Sequence, residues 1–312
     1  MSIDEREAAA EREISVGGTA PAERDERAAR LPDPFTPQRR SLRERIGRPR
    51  IAVVLSVVWL ILVVLWALFP SVFTPFDPIA GNAAEAQQAP SLAHPFGTDA
   101  TGRDMFSRVV YGSINSLSGA LIAVSVGFVI GTAIGVFAGS SRRLVDDILM
   151  RIVDVFLAIP SLLLSLSIII LLGFGTAQAA IAVGFTSVAA FARLSRSEVV
   201  RVRGTDYVEA AFASGGRFLP VLWRHVLPNS LNAVLALAAL QFGTAVLSIS
   251  TLGFLGYGAP PPTPEWGLMI AEGRNYVATA WWLTTLPGAV VVLVVLSANR
   301  VSAAIAARGR IS

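Results

Sequence analysis

Few residues of this chain are of the types that perform chemistry, and their spacing assembles no catalytic set. There are two histidines, His94 and His225, and neither cysteine nor lysine, so all 26 basic residues are arginine. Cysteine nucleophiles, disulfides and thiolate metal sites are therefore excluded. Schiff bases and the Walker A phosphate loop need lysine and are excluded too. With no H-E-x-x-H or G-x-S-x-G pattern, we expect no catalytic residue, metal site or bound cofactor in this chain.

The composition divides the chain into a polar tail and a membrane-embedded remainder. Of the 312 residues, 53% are hydrophobic and only 15% are charged, whereas a soluble domain has about 25% charged residues. Residues 1–50 alone hold 21 of the 48 charges. We predict a cytoplasmic N-terminal tail over residues 1–45, disordered by its composition, and a membrane domain over residues 46–312.

Apolar runs long enough to cross about 30 Å of hydrocarbon predict six membrane helices. Their approximate ranges are 51–69, 117–139, 148–172, 177–199, 228–252 and 281–304. The charge-free run 155–192 is too long for one crossing and is divided at Gly173–Thr176, a turn signal. The predicted fold class is an all-α membrane protein with six transmembrane helices.

Arginine placement predicts the orientation, because cytoplasmic segments of membrane proteins are enriched in basic residues. With the N-terminus inside, cytoplasmic segments carry 23 arginines and outer segments carry three, Arg103, Arg108 and Arg274. Both termini are therefore predicted to be cytoplasmic. Residues 200–228 become a cytoplasmic loop, and residues 70–113 and 253–280 become outer loops.

No predicted span carries a charge at its centre, which argues against an ion-coupled carrier. Hydroxyl and amide side chains in the spans either bond within the bundle or line a wet pathway. The pathway candidates are Ser161, Gln241, Thr244 and Ser248. In the second outer loop, Glu265 and Trp266 are candidates for an external gate, with packing of this loop across the bundle as an equal alternative.

Small residues recur at every fourth position of the second predicted helix, from Gly119 to Gly139. Such a stripe lets two helix backbones approach closely in lipid. Packing within this chain and a surface that slides against a partner subunit both remain open.

The cytoplasmic loop contains more structure signals than a linker needs. Thr205-Asp206 is typical of a helix start, and Gly215-Gly216 of a helix end. We predict one compact helix over residues 207–213 and a second over residues 218–226. The second leads to Pro228, which suits the first turn of the fifth span.

The same loop reads Glu-Ala-Ala from Glu209, then three residues, Gly215, nine residues and His225-Val226-Leu227-Pro228. This resembles the EAA loop of permease subunits of ABC importers, E-A-A-x3-G-x9-z-x-L-P, at every fixed position. Isoleucine is common at z, and histidine there resembles the dipeptide/oligopeptide/nickel branch. The resemblance implies an ATPase-coupling loop that includes Tyr207, Glu209, Ala210, Ala211, Gly215, His225, Leu227 and Pro228.

Outer-loop motifs extend the resemblance to about residues 45–305. They are His94–Asp99 with Gly102–Asp104, and Pro262–Gly267 with Glu272–Tyr276. The second, six-span permease of peptide importers is the member that the chain most resembles. This implies the type I ABC importer permease fold.

The resemblance also implies a function and a set of partners. The chain would form half of the translocation pathway of an ATP-driven importer of di-/oligopeptides in a bacterial cell (inner or plasma) membrane. Implied partners are a homologous permease subunit, two ATPases that bind ATP and Mg, an extracytoplasmic solute-binding protein, the peptide and membrane lipid, with no nucleic acid. The alternative is a permease for nickel or another small solute of the same branch.

Overall fold

A computed structural model describes residues 48–308, and the side chains of residues 51–306. The predicted tail over residues 1–45 lies outside this range. Within it the chain is helical and forms no strand beyond a single bridge between Thr98 and Asp104. The helices are α1 (Arg48–Leu68), α2 (Pro70–Phe73), α3 (Met105–Ser140), α4 (Arg143–Ala158), α5 (Ser161–Leu172), α6 (Thr176–Arg203), α7 (Asp206–Ala213), α8 (Phe218–Val221), α9 (Leu227–Phe254), α10 (Trp266–Gly273) and α11 (Trp282–Arg308).

The described residues contain five candidate membrane crossings, and a sixth when one bent pair of helices is counted as a single span. Four helices, α1, α3, α6 and α11, are long and apolar enough to cross a membrane, as is the continuous segment Phe218–Phe254. The pair α4–α5 passes the same test only when taken together, and its halves are bent by 95°. Pairing α4 with α5 gives the sixth crossing.

The prediction of a single helix over residues 148–172 is wrong, because two helices occupy this range. The bend falls at Ile159 and Pro160, which separate α4 from α5. Ile159 has extended backbone angles, φ −85° and ψ 129°, because a residue that precedes proline is disfavoured in the helical region. Pro160 also lacks the N–H that would continue the helix.

The second span is longer than predicted and starts in the outer loop. Asp104 caps α3 by accepting hydrogen bonds from the backbone N–H (2.7 Å) and the hydroxyl (2.6 Å) of Ser107. At 1.5 Å per residue, the 36 residues of α3 measure about 54 Å, well beyond the hydrocarbon thickness. The first turns of α3 therefore belong to the outer part of the molecule.

The small-residue stripe of α3 packs against α6 within this chain. A Cβ at Gly131 would lie 2.5 Å from the backbone oxygen of Val188, and one at Gly135 would lie 2.4 Å from that of Ala192. Neither backbone can yield without moving a whole helix. The structure thus settles the choice left open by the sequence: the stripe holds two helices of the same bundle together.

Candidate functional site

The cytoplasmic loop between α6 and α9 is built around α7, the helix that carries the Glu-Ala-Ala sequence. Val208 is fully buried against Val199 and Val202 of α6, in a small apolar cluster with Val221, Leu222 and Val226. Its neighbours Glu209 and Ala210 are exposed, and Ala211 is half-buried. One buried valine therefore fixes α7 to the bundle while the motif residues remain available to a partner.

A left-handed turn at Gly215 ends this helix. Its φ is +86°, and a Cβ built on it would meet nothing within 4 Å. The next residue, Gly216, donates its backbone N–H to the oxygen of Ala211 at 3.0 Å. Glycine is required at position 215 for its backbone conformation, since space alone would admit a side chain.

The beginning and the end of the motif meet in space. The hydroxyl of Tyr207 donates to the backbone oxygen of His225 at 3.3 Å, and the two rings lie edge to face at 6.4 Å. His225 lies in Leu222–Val226, a single π-helical turn that runs into α9 without interruption. Pro228 follows in the first turn of α9 and is exposed, while Leu227 is half-buried.

Arginines connect this loop to the helices above it. Arg203 donates to the backbone oxygen of Gly139 at the end of α3 (2.7 Å), and its guanidinium lies 5.8 Å from the ring centre of Phe218. Seven positions earlier on α6, Arg196 donates hydrogen bonds of 3.0 and 2.5 Å to the carboxylate of Asp146 on α4. These contacts link α6 to the end of α3 and to α4.

The hydroxyl and amide candidates for a pathway lie mainly on α9. Gln241, Thr244 and Ser248 are separated by three and four positions and share one face of the helix. Thr244 is exposed and donates its hydroxyl to the backbone oxygen of Gln241 at 2.9 Å, while Gln241 and Ser248 are half-buried. Ser161 is exposed at the start of α5.

The first outer loop is folded around the carboxylate of Asp99. One oxygen accepts from the backbone N–H groups of Thr101 (2.8 Å) and Arg103 (3.0 Å), and the other accepts from Nε of Arg103 at 2.6 Å. Burial opposes ionisation, but these hydrogen bonds and the charge of Arg103 outweigh it and hold the pKa of Asp99 below its ordinary value. The ionised carboxylate of Asp99 thus stabilises the fold of this loop.

The first outer-loop motif contacts the starts of both α3 and α11. His94 is buried with Nδ1 2.9 Å from the carboxylate of Asp104, the residue that caps α3. The indole N–H of Trp282 donates to the backbone oxygen of Thr98 at 3.3 Å. Gly97, with φ +71°, leaves room for that indole. The motif that starts at His94 therefore has a structural explanation.

A buried ion-pair cluster joins the two outer loops, and the sequence analysis missed it. Arg108 is completely buried and donates Nη2 to Glu272 at 3.0 Å and Nη1 to the backbone oxygens of Pro78 (3.3 Å) and Pro262 (3.4 Å). Arg103 reaches the same carboxylate at 3.6 Å. The sequence does show an arginine, Arg108, in the first turn of an apolar helix, which indicates a buried partner. It does not indicate that this partner is Glu272.

The two gate candidates of the second outer loop are buried between α3, α9 and α10. Glu265 is 1% exposed and caps α10 by accepting from the N–H groups of Gly267 and Leu268, both at 2.9 Å. Trp266 is fully buried, and its indole N–H donates to the backbone oxygen of Val109 at 3.0 Å. The structure packs both residues against α3, and their role in a gate stays a prediction.

Comparison with known proteins agrees with this architecture. The family described as "Binding-protein-dependent transport system inner membrane component" matches residues 131–311. A dipeptide transport system permease of Alkalihalophilus pseudofirmus is 40% identical over 250 residues, which are 79% of this chain and 82% of that protein. A probable D,D-dipeptide transport system permease of Escherichia coli is 38% identical over 79% of this chain and 83% of that protein. A glutathione transport system permease of Pectobacterium atrosepticum is 36% identical over 84% and 85%.

Solved structures show the fold. A chain of the methionine ABC transporter MetNI in an inward-facing conformation has a TM-score of 0.52 at 22% identity, over 64% of this chain and 97% of that one. A chain of an amino acid ABC transporter has a TM-score of 0.52 at 16% identity, over 66% and 95%. The protein has the type I ABC importer permease fold.

These comparisons and the candidate membrane spans define a multi-pass membrane component of a transport system. The chain belongs to the family of binding-protein-dependent transport system inner membrane components.

Proposed function

We propose that this chain is one of two permease halves of an ATP-driven importer of di-/oligopeptides. The relatives described above are named for dipeptide, D,D-dipeptide and glutathione transport, which favours peptides over nickel or another small solute. The importer works in a bacterial inner or plasma membrane. Its other parts are a homologous permease, two ATPases and an extracytoplasmic solute-binding protein.

The observation that carries this proposal is the presentation of α7. A short helix with a buried valine on one side and exposed Glu209 and Ala210 on the other suits a groove on a cytoplasmic ATPase. Because Arg203 joins the same loop to the end of α3, ATP-driven movement at α7 reaches the membrane helices. ATP and Mg bind to the partner subunits, and this chain converts their closure into rearrangement of the bundle.

The substrate route runs along the polar face of α9, between this chain and its partner permease. Gln241, Thr244 and Ser248 offer hydroxyl and amide groups at successive levels, and Ser161 adds another at the start of α5. Weak, uncharged contacts suit a substrate that must leave as readily as it enters. Glu265 and Trp266 act at the outer end by holding α10 closed against α3.

The experiment that tests this proposal is purification of the tagged chain in mild detergent, followed by mass spectrometry of the copurifying proteins. We expect a second permease, two ATPase chains and a solute-binding protein whose bound ligand is a peptide. Uptake of that peptide by reconstituted vesicles should require ATP and all the subunits. A folded chain that copurifies with none of them, or a binding protein loaded with a metal ion, would contradict the proposal.

A further inference from the structure

Glu265 is a carboxyl group without a counter-ion in a dry part of the molecule. Its three hydrogen-bond donors are uncharged: the backbone N–H groups of Gly267 and Leu268 and, at 3.5 Å, the hydroxyl of Ser116 on α3. Within the part of the chain that the structure describes, no arginine or histidine nitrogen lies within 4.0 Å of its oxygens. The start of α10 and its two N–H groups favour an anion, but burial without a counter-ion makes a permanently anionic group costly.

The slot that holds this carboxyl is made by small residues. A Cβ at Gly253, at the end of α9, would lie 2.2 Å from Oε2 of Glu265, and one at Gly258 would lie 3.3 Å from it. Gly267 similarly packs against the backbone of Ser250. The hydroxyl of Ser250 is buried without a hydrogen-bond partner. The side chain of Glu265 is thus enclosed by backbone, and water is kept away from it.

The charged groups of the neighbouring elements bind other residues, and Arg274, which follows α10, lies with its guanidinium 5.8 Å from the ring centre of Phe254 at the end of α9. On α3, Arg108 bonds to Glu272 at the other end of α10, and Arg103 and Asp99 belong to that same cluster. Next to Glu265, α3 presents only the neutral Asn115, which donates to the oxygen of Pro264, and Ser116. α11 meets Gly273 of α10 through the apolar Leu283.

We propose that Glu265 is a proton-sensitive positioning residue: its neutral form keeps α10 seated on α3 and α9, and its ionised form favours release of this helix at the outer side. The proposal deepens the importer function given above and rests on it, because it assigns α10 to the movable outer gate. It also explains why a carboxylic acid caps this helix, where serine or asparagine would cap it without titrating.

The direction of the pH dependence follows from the difference in the pKa of Glu265 between the seated and the released state. Burial raises the pKa of Glu265, partly offset by the hydrogen bonds from Gly267, Leu268 and Ser116. The pKa of Glu265 is therefore higher in the seated state, and in the released, hydrated state it has its ordinary value of 4.5. The stabilisation of the seated state is fully present below that ordinary value and is lost as the pH rises through the raised pKa.

The test uses the absence of cysteine from the whole chain, so that a single introduced thiol is the unique label site on this chain, and labelling of this chain alone is scored. Met269→Cys places a thiol at a position on α10 that is 1% exposed, and Thr279→Cys places one at an exposed position. Labelling rates with a maleimide are measured in detergent-solubilised membranes containing the full subunit set, between about pH 5 and 8. Both labelling rates rise with pH because the thiol ionises, and taking the ratio of the two rates removes this common effect.

We expect this ratio to rise severalfold with pH, within the limit of about tenfold per pH unit that one proton allows. Glu265→Gln should make the ratio low and independent of pH. Glu85→Gln, which neutralises a partly exposed outer carboxyl, should leave the slope unchanged. Leu268→Cys is a second buried reporter on α10 and replaces Met269→Cys if that variant does not fold.

Three outcomes would overturn the proposal: the same slope in Glu265→Gln, a ratio that falls with pH, or no labelling of either buried reporter at any pH. Failure of the importer function is seen separately, in the copurification experiment described above. The orientation is also checked separately: if Thr279→Cys resists a membrane-impermeant maleimide in intact cells but reacts after solubilisation, the assigned orientation is wrong. The ratio in solubilised membranes still decides the role of Glu265.

Discussion

Arg108 and Glu272 form an ion pair with a donor–acceptor distance of 3.0 Å across 164 positions of sequence. The arginine is fully buried in the first turns of α3, and the glutamate is near the end of α10. Because Arg108 also donates to the backbone of Pro78 and Pro262, one guanidinium holds both outer loops. The outer cap is therefore a single unit rather than two independent loops.

Glu272→Gln should destabilise this cap. It keeps an acceptor for Arg108 but removes the charge, so that a buried guanidinium loses its nearest anion. Since the side chain of Glu272 is 32% exposed, we expect a loss of about 1–3 kcal/mol, less than for a fully buried pair. Thermal unfolding in detergent measures it. Glu85→Gln is the control, and equal effects of the two substitutions would contradict the assigned role.

Gly131→Ala should separate α3 from α6. The added Cβ would lie 2.5 Å from two atoms of α6, one of them a backbone oxygen, so that overpacking should cost about 1–3 kcal/mol. Gly288→Ala is the matched control in α11, because a Cβ there meets nothing within 4 Å. It should be neutral or stabilising by up to about 1 kcal/mol through helix propensity. A thermal shift of the same sign and size in both variants would argue against the close packing.

Gly215→Ala should uncouple ATP hydrolysis from the permease by distorting the end of α7. Alanine at φ +86° costs about 1–2 kcal/mol, and the strain is relieved by rotating the motif helix. Gly204→Ala is the control, since Gly204 has φ −85° and room for a Cβ. In the reconstituted complex, binding-protein-stimulated ATPase activity should fall severalfold for Gly215→Ala alone, while the assembled complex remains intact.

Glu209→Ala should weaken the same coupling by a different route. Glu209 is exposed and takes no part in the apolar cluster under α7, so its loss should leave the stability of the chain within about 0.5 kcal/mol. We expect reduced copurification of the ATPase subunits or reduced stimulated hydrolysis. Unchanged coupling together with unchanged assembly would contradict the contact proposed for α7.

Acid should loosen the first outer loop through Asp99. Its pKa is below the ordinary value, so its stabilising contribution is present above about pH 3.8 and is lost as the pH falls through the lower folded value. Asp99→Asn should lower stability at pH 7 and flatten the acid transition. Limited proteolysis of the loop against pH measures both. A residual slope is expected from Asp77, whose pKa is lowered by hydrogen bonds from Ile79 and Ala80.

Local patterns in the sequence predicted most of the membrane fold. Apolar runs fix where helices cross lipid, because an unpaired backbone group in hydrocarbon is prohibitively costly, and the five unbroken spans follow those runs. The helix that carries Glu209 was also predicted within one residue, since a cap region and two glycines mark its ends. The bend between α4 and α5 could have been predicted too, because Pro160 was visible and was read as part of a helix.

Only the tertiary structure decided which polar residues meet. Ser116 and Glu265 are 149 positions apart, and Trp266 meets Val109 over 157; no periodicity encodes such pairs. The same holds for the burial of Glu265, which depends on Gly253 of α9, Gly258 of the turn after it and Ser116 of α3. The sequence alone determined where the apolar helices and the helix that carries Glu209 lie, since these depend on hydrophobicity and local backbone preference. The orientation and the coupling role of that helix stay predictions. The packed bundle decided the ion pairs and the environment of each carboxyl, because these depend on distances between segments that are remote along the chain.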